Sequence, residues 1–443
     1  MRNGRLRSGF AGILFALATG GCAVVGTTPE RPPPRVETGP PPDVERGIDL
    51  RDVTLRPVRD FDEVRALWVV RFTMTSEESV RLMVERADEA GINTLIVQVR
   101  GRADAFYASS LEPRAESMRA PSDVDLLALT VDLAHARGIA VHAWVNTHLV
   151  WGPAPPPEDP SHLVNANPDW LAVPRRLSKE LAGVDPFDRR FFERLVEDAR
   201  ANPRTVEGIY TSPSHPAVQN RVHAVWLDLA TRYDLDGIHF DYIRYPSAEY
   251  DYSVGALERF RLWTRSVLTS ERFGELDAMY VSDLYAFVDG EPGLWADFRR
   301  HHVTRLVERI YEDVKAVRPR LVVSAAVVPD VEVAFGDRFQ DWTGWLELGI
   351  VDVAVPMAYT PDVARFEGLL RRARAEAGQG ARLWAGIGAY MNSADDTIRM
   401  IDVARAVDAG GVVIFSYDWA VDEGLGDPAN PLHQRLGRER FGR

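Results

Sequence analysis

Short apolar runs recur along the chain between residues 67 and 416, and amphipathic stretches separate each run from the next. Uninterrupted runs of four to six apolar residues are typical of strands that are buried on both faces. A closed (β/α)₈ barrel needs eight such strands in alternation with helices. The pattern predicts eight: Leu67–Val70, Thr94–Val99, Ala140–Val145, Gly237–Phe240, Leu321–Ala326, Val351–Pro356, Leu383–Gly388 and Val412–Ser416.

The stretches between these runs have helical periodicity and recognisable ends. Three of them extend over 76–90, 123–137 and 395–409, and a glycine follows each one directly. Each begins near a Ser or Asp, as helix N-caps prefer, and a glycine commonly ends a helix. A doubly wound open sheet is the main alternative to the barrel, but no Gly-rich phosphate loop follows the first strand.

Two long segments interrupt the alternation, at about 146–209 and 247–293. In a (β/α)₈ barrel such insertions between a strand and the next helix lie at the carboxyl ends of the strands, where they form walls around the active site. We therefore expect an extended groove, which would suit a polymeric substrate.

The amino terminus has the pattern of a lipoprotein signal. Arg2, Arg5 and Arg7 precede the apolar stretch Phe10–Ala18, and small residues lead to Cys22. The stretch is too short to span a bilayer as a mature helix, so a signal peptide at 1–21 is predicted, with a lipid anchor on Cys22. Ordinary cleavage with an incidental cysteine is the alternative. A Pro-rich tether follows within 22–60, and the catalytic domain occupies 61–443; the predicted location is outside the cytoplasm, at the outer membrane facing the periplasm.

Composition excludes several classes of function. The net charge is −13, from 52 basic and 65 acidic residues, which argues against a nucleic-acid partner. With a single cysteine, the chain has neither a disulfide framework nor a Cys-based metal site. The His-Glu-x-x-His and Gly-x-Ser-x-Gly motifs are absent too, so neither a metal nor another cofactor is expected. His142 and His239 lie inside strand runs, where an inward-facing structural histidine is more common than a ligand.

The clearest candidate for chemistry is Asp241, which ends the fourth predicted strand and is followed by Tyr242 and Arg244. Residues just past barrel strands face the catalytic mouth. A carboxylate there can attack an anomeric carbon or stabilise an oxocarbenium ion, and Arg244 would keep it ionised. A structural Asp–Arg pair at the rim is the competing interpretation.

A glycosidase needs a second carboxyl group, and position alone leaves three candidates, Asp330, Glu332 and Asp418. Polar and aromatic residues at the strand ends are candidates for binding a polysaccharide, since aromatic rings stack on sugar faces. These are Gln98, Arg100, Trp144, Asn146, Tyr242, Arg244, Tyr359, Tyr417 and Trp419.

Several segments together resemble the glycosyl hydrolase-like family 10. They are 65–69, 91–100, 104–109, 138–146 and 233–242, with Ser212–Pro216 before the last of them. The resemblance implies a TIM barrel and an envelope enzyme that cleaves peptidoglycan glycan strands already stripped of peptides. It carries over onto Asp241 as the fourth-strand acid and onto Gln98, Arg100, Trp144, Asn146 and Tyr359 as cleft residues.

Three hypotheses on function follow from the sequence. The first is a hydrolase of bacterial cell-wall glycan, and the second is a catalytically inactive barrel that binds glycan as an envelope scaffold. A hydrolase of another polysaccharide is the third. Many relatives have a second Asp where this chain has Tyr242. The lack of a clear second carboxyl group is what suggests the inactive scaffold, so identifying that group would separate the first two hypotheses.

Overall fold

The computed structural model describes residues 59, 61–378, 380–419, 426–427 and 430–442. The predicted signal peptide, Cys22 and nearly all of the Pro-rich tether lie outside these residues. Within the described part of the chain, none of the helices combines the length and the hydropathy that a bilayer crossing requires.

Eight parallel strands form one sheet, and the sheet closes on itself. In chain order they are β1 (Val64–Val69), β2 (Thr94–Arg100), β3 (Ala140–Asn146), β4 (Gly237–Asp241), β5 (Val322–Val327), β6 (Val353–Pro356), β7 (Ala385–Gly388) and β8 (Gly411–Phe415). Consecutive strands pair from β1 to β6 and from β7 to β8, and β1 also pairs with β8. The bridges Ala354–Leu383 and Met357–Gly386 join β6 to β7. The predicted (β/α)₈ barrel and its eight strands are confirmed.

Helices surround the sheet and cover its outer face. Their bounds are Glu77–Glu89, Leu126–His135, Leu163–Ala166, Arg175–Leu181, Arg189–Ala201, Pro216–Arg232, Val254–Thr264, Ser270–Tyr280, Ala286–Gly290, Pro292–Val317, Val331–Gly336, Trp342–Leu348, Val363–Ala377, Ala394–Ala406 and Leu432–Leu436. Gly91 and Gly138 follow the first two with φ of 69° and 72°, as predicted. After helix Ala394–Ala406 the left-handed residue is Asp408 (φ 58°) rather than the predicted Gly410.

Side chains fill the interior of the barrel. Trp68, Trp144 and Trp384 belong to one buried cluster there. The indole N–H of Trp68 donates to Nε2 of His239 at 3.0 Å, and Nδ1 of the same ring lies 2.9 Å from the hydroxyl of Ser324. Burial lowers the pKa of His239 to about 3, so the ring is neutral. The expectation that this histidine is a satisfied interior residue is confirmed.

The insertion after β3 returns to the mouth of the barrel as a short antiparallel ribbon. Strand Leu149–Trp151 pairs with strand Ile209–Tyr210. The two backbones approach closely at Gly208, where a Cβ would lie 2.2 Å from the carbonyl oxygen of Trp151. Only glycine fits this approach without a shift of the backbone. The ribbon therefore fixes the position of the residue that precedes it, Glu207.

Candidate active site

Asp241 is the last residue of β4 and lies at the carboxyl end of the barrel, with 7% of its surface exposed. Its neighbour on β3 is Asn146, and the backbone amide of Thr147 donates to its carbonyl oxygen at 2.8 Å. The carboxylate Oδ1 accepts the backbone amide of Tyr242 at 2.7 Å and Nη1 of Arg244 at 3.3 Å. Both the strand-end position and the predicted contact with Arg244 are present in the structure.

Arg244 does not dominate the ionisation of this carboxyl group. Burial raises the pKa of Asp241 above its usual range, although the charge of Arg244 and two hydrogen bonds oppose the shift. Desolvation in the barrel mouth therefore has a larger effect on this pKa than the ion pair does, and the role of Arg244 in keeping Asp241 ionised stays a prediction. A carboxyl group with a raised pKa holds its proton to a higher pH than an ordinary one, which is the direction that a general acid needs.

A second carboxylate, Glu207, reaches the same region from the ribbon. The negative charge of Glu207 adds to burial in raising the pKa of Asp241, and it also contributes to the raised pKa of Tyr242. Its Oε2 accepts the hydroxyl of Tyr210 at 2.7 Å, and Tyr210 is fully buried. The guanidinium of Arg244 interacts with both carboxylates. The two acids and Arg244 thus form one electrostatic group.

Sequence reasoning missed Glu207 because the residue follows no barrel strand. It lies near the end of a 64-residue insertion, far along the chain from the strand end at Asn146. The dipeptide Glu207-Gly208 before the apolar pair Ile209-Tyr210 was the available signal. A glycine beside a short extended run marks a close backbone approach, and such an approach near the mouth can carry a functional side chain.

Two buried amides hold the strand ends beside Asp241 together. Nε2 of Gln98 donates to Oδ1 of Asn146 at 3.1 Å, and the indole N–H of Trp144 donates to the same oxygen at 2.9 Å. Nδ2 of Asn146 donates to the carbonyl of Gly101 at 2.9 Å. Because these polar atoms already have protein partners, Gln98 and Asn146 act in this structure as positioning residues. Trp144 is only 4% exposed, so its predicted role as a sugar-stacking platform is corrected to that of a donor to Asn146.

Arg100 is also turned away from the mouth. The register of β2 against β3 shifts between Gln98 and Arg100, and such a bulge re-aims the side chain that follows it. Arg100 is 1% exposed; its Nε donates to Glu112 at 3.1 Å, and its Nη1 donates to the backbone carbonyl of Asn146. In a regularly alternating strand Gln98 and Arg100 would lie on one face. The predicted substrate contact of Arg100 is therefore wrong, because its guanidinium is occupied in an internal ion pair.

Of the three acids predicted as the partner of Asp241, only Asp418 lies deep in the mouth. Its Oδ1 accepts the hydroxyl of Thr73 at 2.6 Å, and its Oδ2 lies 3.4 Å from the backbone amide of Val70 and 3.4 Å from the hydroxyl of Ser416. Burial raises the pKa of Asp418 in spite of these bonds. The contacts join the ends of β8 and β1, which is a structural task, and a catalytic part for Asp418 stays a prediction.

Asp330 and Glu332 belong to a short helix beyond β5. The side chain of Asp330 caps helix Val331–Gly336 by accepting the backbone amide of Val333 at 3.1 Å, and Arg372 lies 3.9 Å from its other oxygen. Glu332 is exposed in the first turn of the same helix. The helix cap accounts for Asp330 without catalysis, and the structure does not place either acid in the electrostatic group around Asp241.

The aromatic residues predicted at the mouth divide into two sets. Tyr359 is half-buried and packs edge-on against Trp68 at 6.3 Å and obliquely against Phe415 at 5.6 Å between ring centroids. Trp419 is 39% exposed. By contrast, Tyr417 is 2% exposed within the core between sheet and helices, so its predicted contact with substrate is corrected. Tyr359 and Trp419 have ring surface to offer to a sugar.

A separate cavity of about 280 Å³ lies between the two insertions rather than at Asp241. Apolar residues such as Leu171, Val173 and Phe191 line it, together with His215 and Arg259. Arg259 donates to the hydroxyls of Ser212 and Ser214, both at 3.1 Å, in the Ser212–Pro216 segment noted above. Among the described residues, no three His, Cys, Asp or Glu side chains are grouped so that they could hold a metal ion.

The chain is similar to known proteins over most of its length. The family model described as Glycosyl hydrolase-like 10 matches residues 63–390. "Glycosyl hydrolase DigH" of Escherichia coli K12 is 24% identical over 403 residues, which cover 84% of this chain and 80% of that protein. "Glycosyl hydrolase YngK" of Bacillus subtilis is 22% identical over 335 residues, 70% of this chain and 54% of the relative.

Solved structures show the same fold. The glycoside hydrolase domain of PgaB (BpsB) from Bordetella bronchiseptica superposes with a TM-score of 0.57 at 15% identity, over 81% of this chain and 95% of that domain. The catalytic domain of β-amylase from Paenibacillus polymyxa gives a TM-score of 0.52 at 9% identity, over 86% and 98% of the two chains. The family match covers well over half of the chain, and the chain belongs to the glycosyl hydrolase-like 10 family of glycoside hydrolases.

Proposed function

We propose that this glycoside hydrolase cleaves cell-wall glycan with Asp241 and Glu207 as its two carboxyl groups. The observation that carries the proposal is their arrangement. A buried acid ends a barrel strand, a second acid reaches it from the ribbon, and Arg244 interacts with both. Most glycoside hydrolases use two carboxyl groups that flank the bond to be cleaved.

The environments of the two acids suggest different roles. Asp241 is buried and burial raises its pKa, so we assign it the role of the acid that donates a proton to the glycosidic oxygen as the C–O bond breaks. Glu207 is half-buried on the ribbon. Glu207 would then act on the side of the anomeric carbon. It is either the base that takes a proton from the attacking water or the nucleophile that attacks this carbon itself. The anomeric configuration of the product distinguishes these two roles.

The proposed substrate is a peptidoglycan glycan strand from which the peptides have been removed. The family resemblance implies this polymer, and the insertions around the barrel mouth suit an extended chain. The second carboxyl weighs against the inactive scaffold, because Glu207 supplies the group whose absence motivated that hypothesis. A hydrolase of another polysaccharide is the remaining alternative.

The experiment compares Asp241→Asn, Glu207→Gln and the control Glu78→Gln, an exposed carboxyl on helix Glu77–Glu89. On peptide-free strands we expect kcat to fall about 10²- to 10⁴-fold for the first two variants and to stay unchanged for the control. A 2,4-dinitrophenyl glycoside of N-acetylglucosamine needs little proton donation. Asp241→Asn should therefore lose far less activity on it than Glu207→Gln.

Full turnover of strands by Asp241→Asn would overturn the assignment of the acid, and full turnover by Glu207→Gln would overturn that of its partner. Faster cleavage of neutral glucans than of peptidoglycan strands by the unaltered protein would favour the other polysaccharide. Binding of strands without release of any sugar would favour the scaffold.

We also propose that the protein is anchored by a lipid on Cys22 and acts in the cell envelope. The basic start, short apolar stretch and small residues before Cys22 support this. Metabolic labelling with a fatty acid should mark the protein and should not mark Cys22→Ser. A labelled Cys22→Ser variant would contradict the anchor.

A further inference from the structure

Two arginines lie at the same end of the barrel as Asp241. Arg71 follows β1, and Arg102 follows β2. The backbone amide and Nη1 of Arg71 both donate to Oε1 of Gln98 at 3.2 Å, and Nη1 of Arg102 donates to the carbonyl of Gly101 at 3.1 Å. These acceptors are neutral, so the hydrogen bonds orient the two guanidinium groups without cancelling their charge.

In the part of the chain that the structure describes, neither guanidinium forms an ion pair, whereas Arg100 and Arg244 both do. The carboxylate of Asp104 acts on Arg71, and it accepts the backbone amide of Arg102 at 2.7 Å. Burial and the charge of Arg102 together lower the pKa of Arg71 to about 10. The pair therefore carries more positive charge than its surroundings compensate.

The backbone keeps the two side chains together in spite of this repulsion. A Cβ on Gly101 would lie 2.2 Å from Cδ of Arg71, so the arginine rests directly on the glycine that precedes Arg102. Nδ2 of Asn146 holds the carbonyl of the same glycine. A site that holds two like charges in place gains stability when it binds an anion, because the anion relieves the repulsion.

The position of the pair points to a sugar next to the cleaved bond. Arg71 and Arg102 both lie within electrostatic range of the Tyr242 hydroxyl, which belongs to the residue after Asp241. Neither arginine contacts Asp241 itself. They are placed to recognise a substituent on a neighbouring sugar rather than to take part in bond cleavage.

We propose that Arg71 and Arg102 form a subsite for the carboxylate of an acidic sugar in the glycan. The proposal rests on the proposed function and adds a reason for its substrate. In peptide-bearing peptidoglycan the sugar carboxylate is tied up in an amide bond, and removal of the peptide restores its negative charge. The paired arginines would thus distinguish stripped strands from intact ones by charge.

The test uses the double variant Arg71→Gln/Arg102→Gln with two substrates, peptide-free strands and the same strands after methyl esterification of their carboxylates. The unaltered protein should show a KM about tenfold lower for the free acid. The double variant should lose this preference, so that its KM becomes the same for the two substrates. Arg81→Gln, an exposed arginine on helix Glu77–Glu89, is the matched control and should keep the preference.

Binding separates this proposal from the proposed function. Calorimetric titration of Asp241→Asn with both kinds of strand measures carboxylate preference without turnover. Equal affinity for both kinds of strand would overturn the subsite, as would a preference that survives in the double variant. Carboxylate preference in a protein that cleaves neither substrate would overturn the hydrolase and leave the subsite standing. Arg71→Lys/Arg102→Lys keeps both charges, so it should retain part of the preference.

Discussion

The two halves of the barrel mouth are built differently. The ends of β1 to β4 form a polar half, in which Gln98, Asn146 and Asp241 are joined by hydrogen bonds and by strand pairing. The ends of β6 to β8 form an aromatic half, in which Tyr359 and Phe415 pack with ring centroids 5.6 Å apart. A pyranose has polar edges and apolar faces, so this division matches the two kinds of surface that a sugar presents.

The polar half depends on support from the buried residues behind it. Its residues face the mouth because Arg100, buried beneath them, holds the carbonyl of Asn146 and pairs with Glu112. In the aromatic half, Tyr359 and Phe415 are held by ring packing, in which each contact is weak and tolerant of change. We therefore expect substitutions that disturb the polar half to lower both the free energy of unfolding and kcat. Substitutions in the aromatic half should affect KM and little else.

The largest effect in this comparison is expected for Arg100→Met. The substitution leaves Glu112 as an unpaired charge in the core, and breaking a buried ion pair by removal of one partner costs about 3–5 kcal/mol. The free energy of unfolding, measured by urea denaturation, should fall by that amount, and kcat should fall with it because the end of β3 loosens.

The double variant Arg100→Met/Glu112→Leu is the control for the lost ion pair. It removes both charges, so it should recover most of the stability of the unaltered protein. Recovery of stability without recovery of kcat would show that the bond from Arg100 to Asn146 matters for the site. An Arg100→Met variant as stable as the unaltered protein would contradict the idea that the polar half is supported from behind.

A smaller effect is expected for Tyr359→Ala. Loss of a half-buried ring that contacts Trp68 and Phe415 removes a stacking surface, and KM for glycan strands should rise about tenfold while kcat changes little. Tyr359→Phe, which keeps the ring, is the matched variant and should keep KM near its original value. A tenfold loss in Tyr359→Phe would move the role of Tyr359 from its ring to its hydroxyl.

The smallest effect is expected for Trp419→Ala. The ring is 39% exposed at the rim, so its removal should raise KM only about two- to threefold and leave the free energy of unfolding unchanged. The increase should be confined to long strands if Trp419 contacts distant sugars. An unchanged KM for strands of every length would exclude Trp419 from the groove.

The fold was predictable because each strand of a parallel barrel is buried on both faces and therefore has a continuous apolar sequence. All eight runs became strands, with ends displaced by only a few residues, since buried strands on two faces leave little ambiguity. The end of helix Ala394–Ala406 was less predictable. Asp408 takes the left-handed conformation two residues before Gly410, and a polar side chain tolerates that conformation well enough to displace the glycine signal.

The site was predictable only where a functional residue follows a regular strand. Asp241 met this condition. Arg100 did not, because a shift in strand register cannot be read from the alternation of residues and turned its side chain into the core. Glu207 depends on contacts between a ribbon and the barrel, and the sequence does not record which insertion folds back over the mouth.

The neutral histidine in the barrel sets a limit on the conditions under which this enzyme stays folded. An unfolded chain takes up a proton on His239 near pH 6.5, whereas in the folded chain burial lowers that pKa to about 3. The contribution to stability is therefore complete above pH 6.5 and is lost as the pH falls from there toward 3. His142, with its pKa lowered to about 4 by burial, has the same sign. Mild acid that would help Asp241 hold its proton thus also weakens the barrel that carries it.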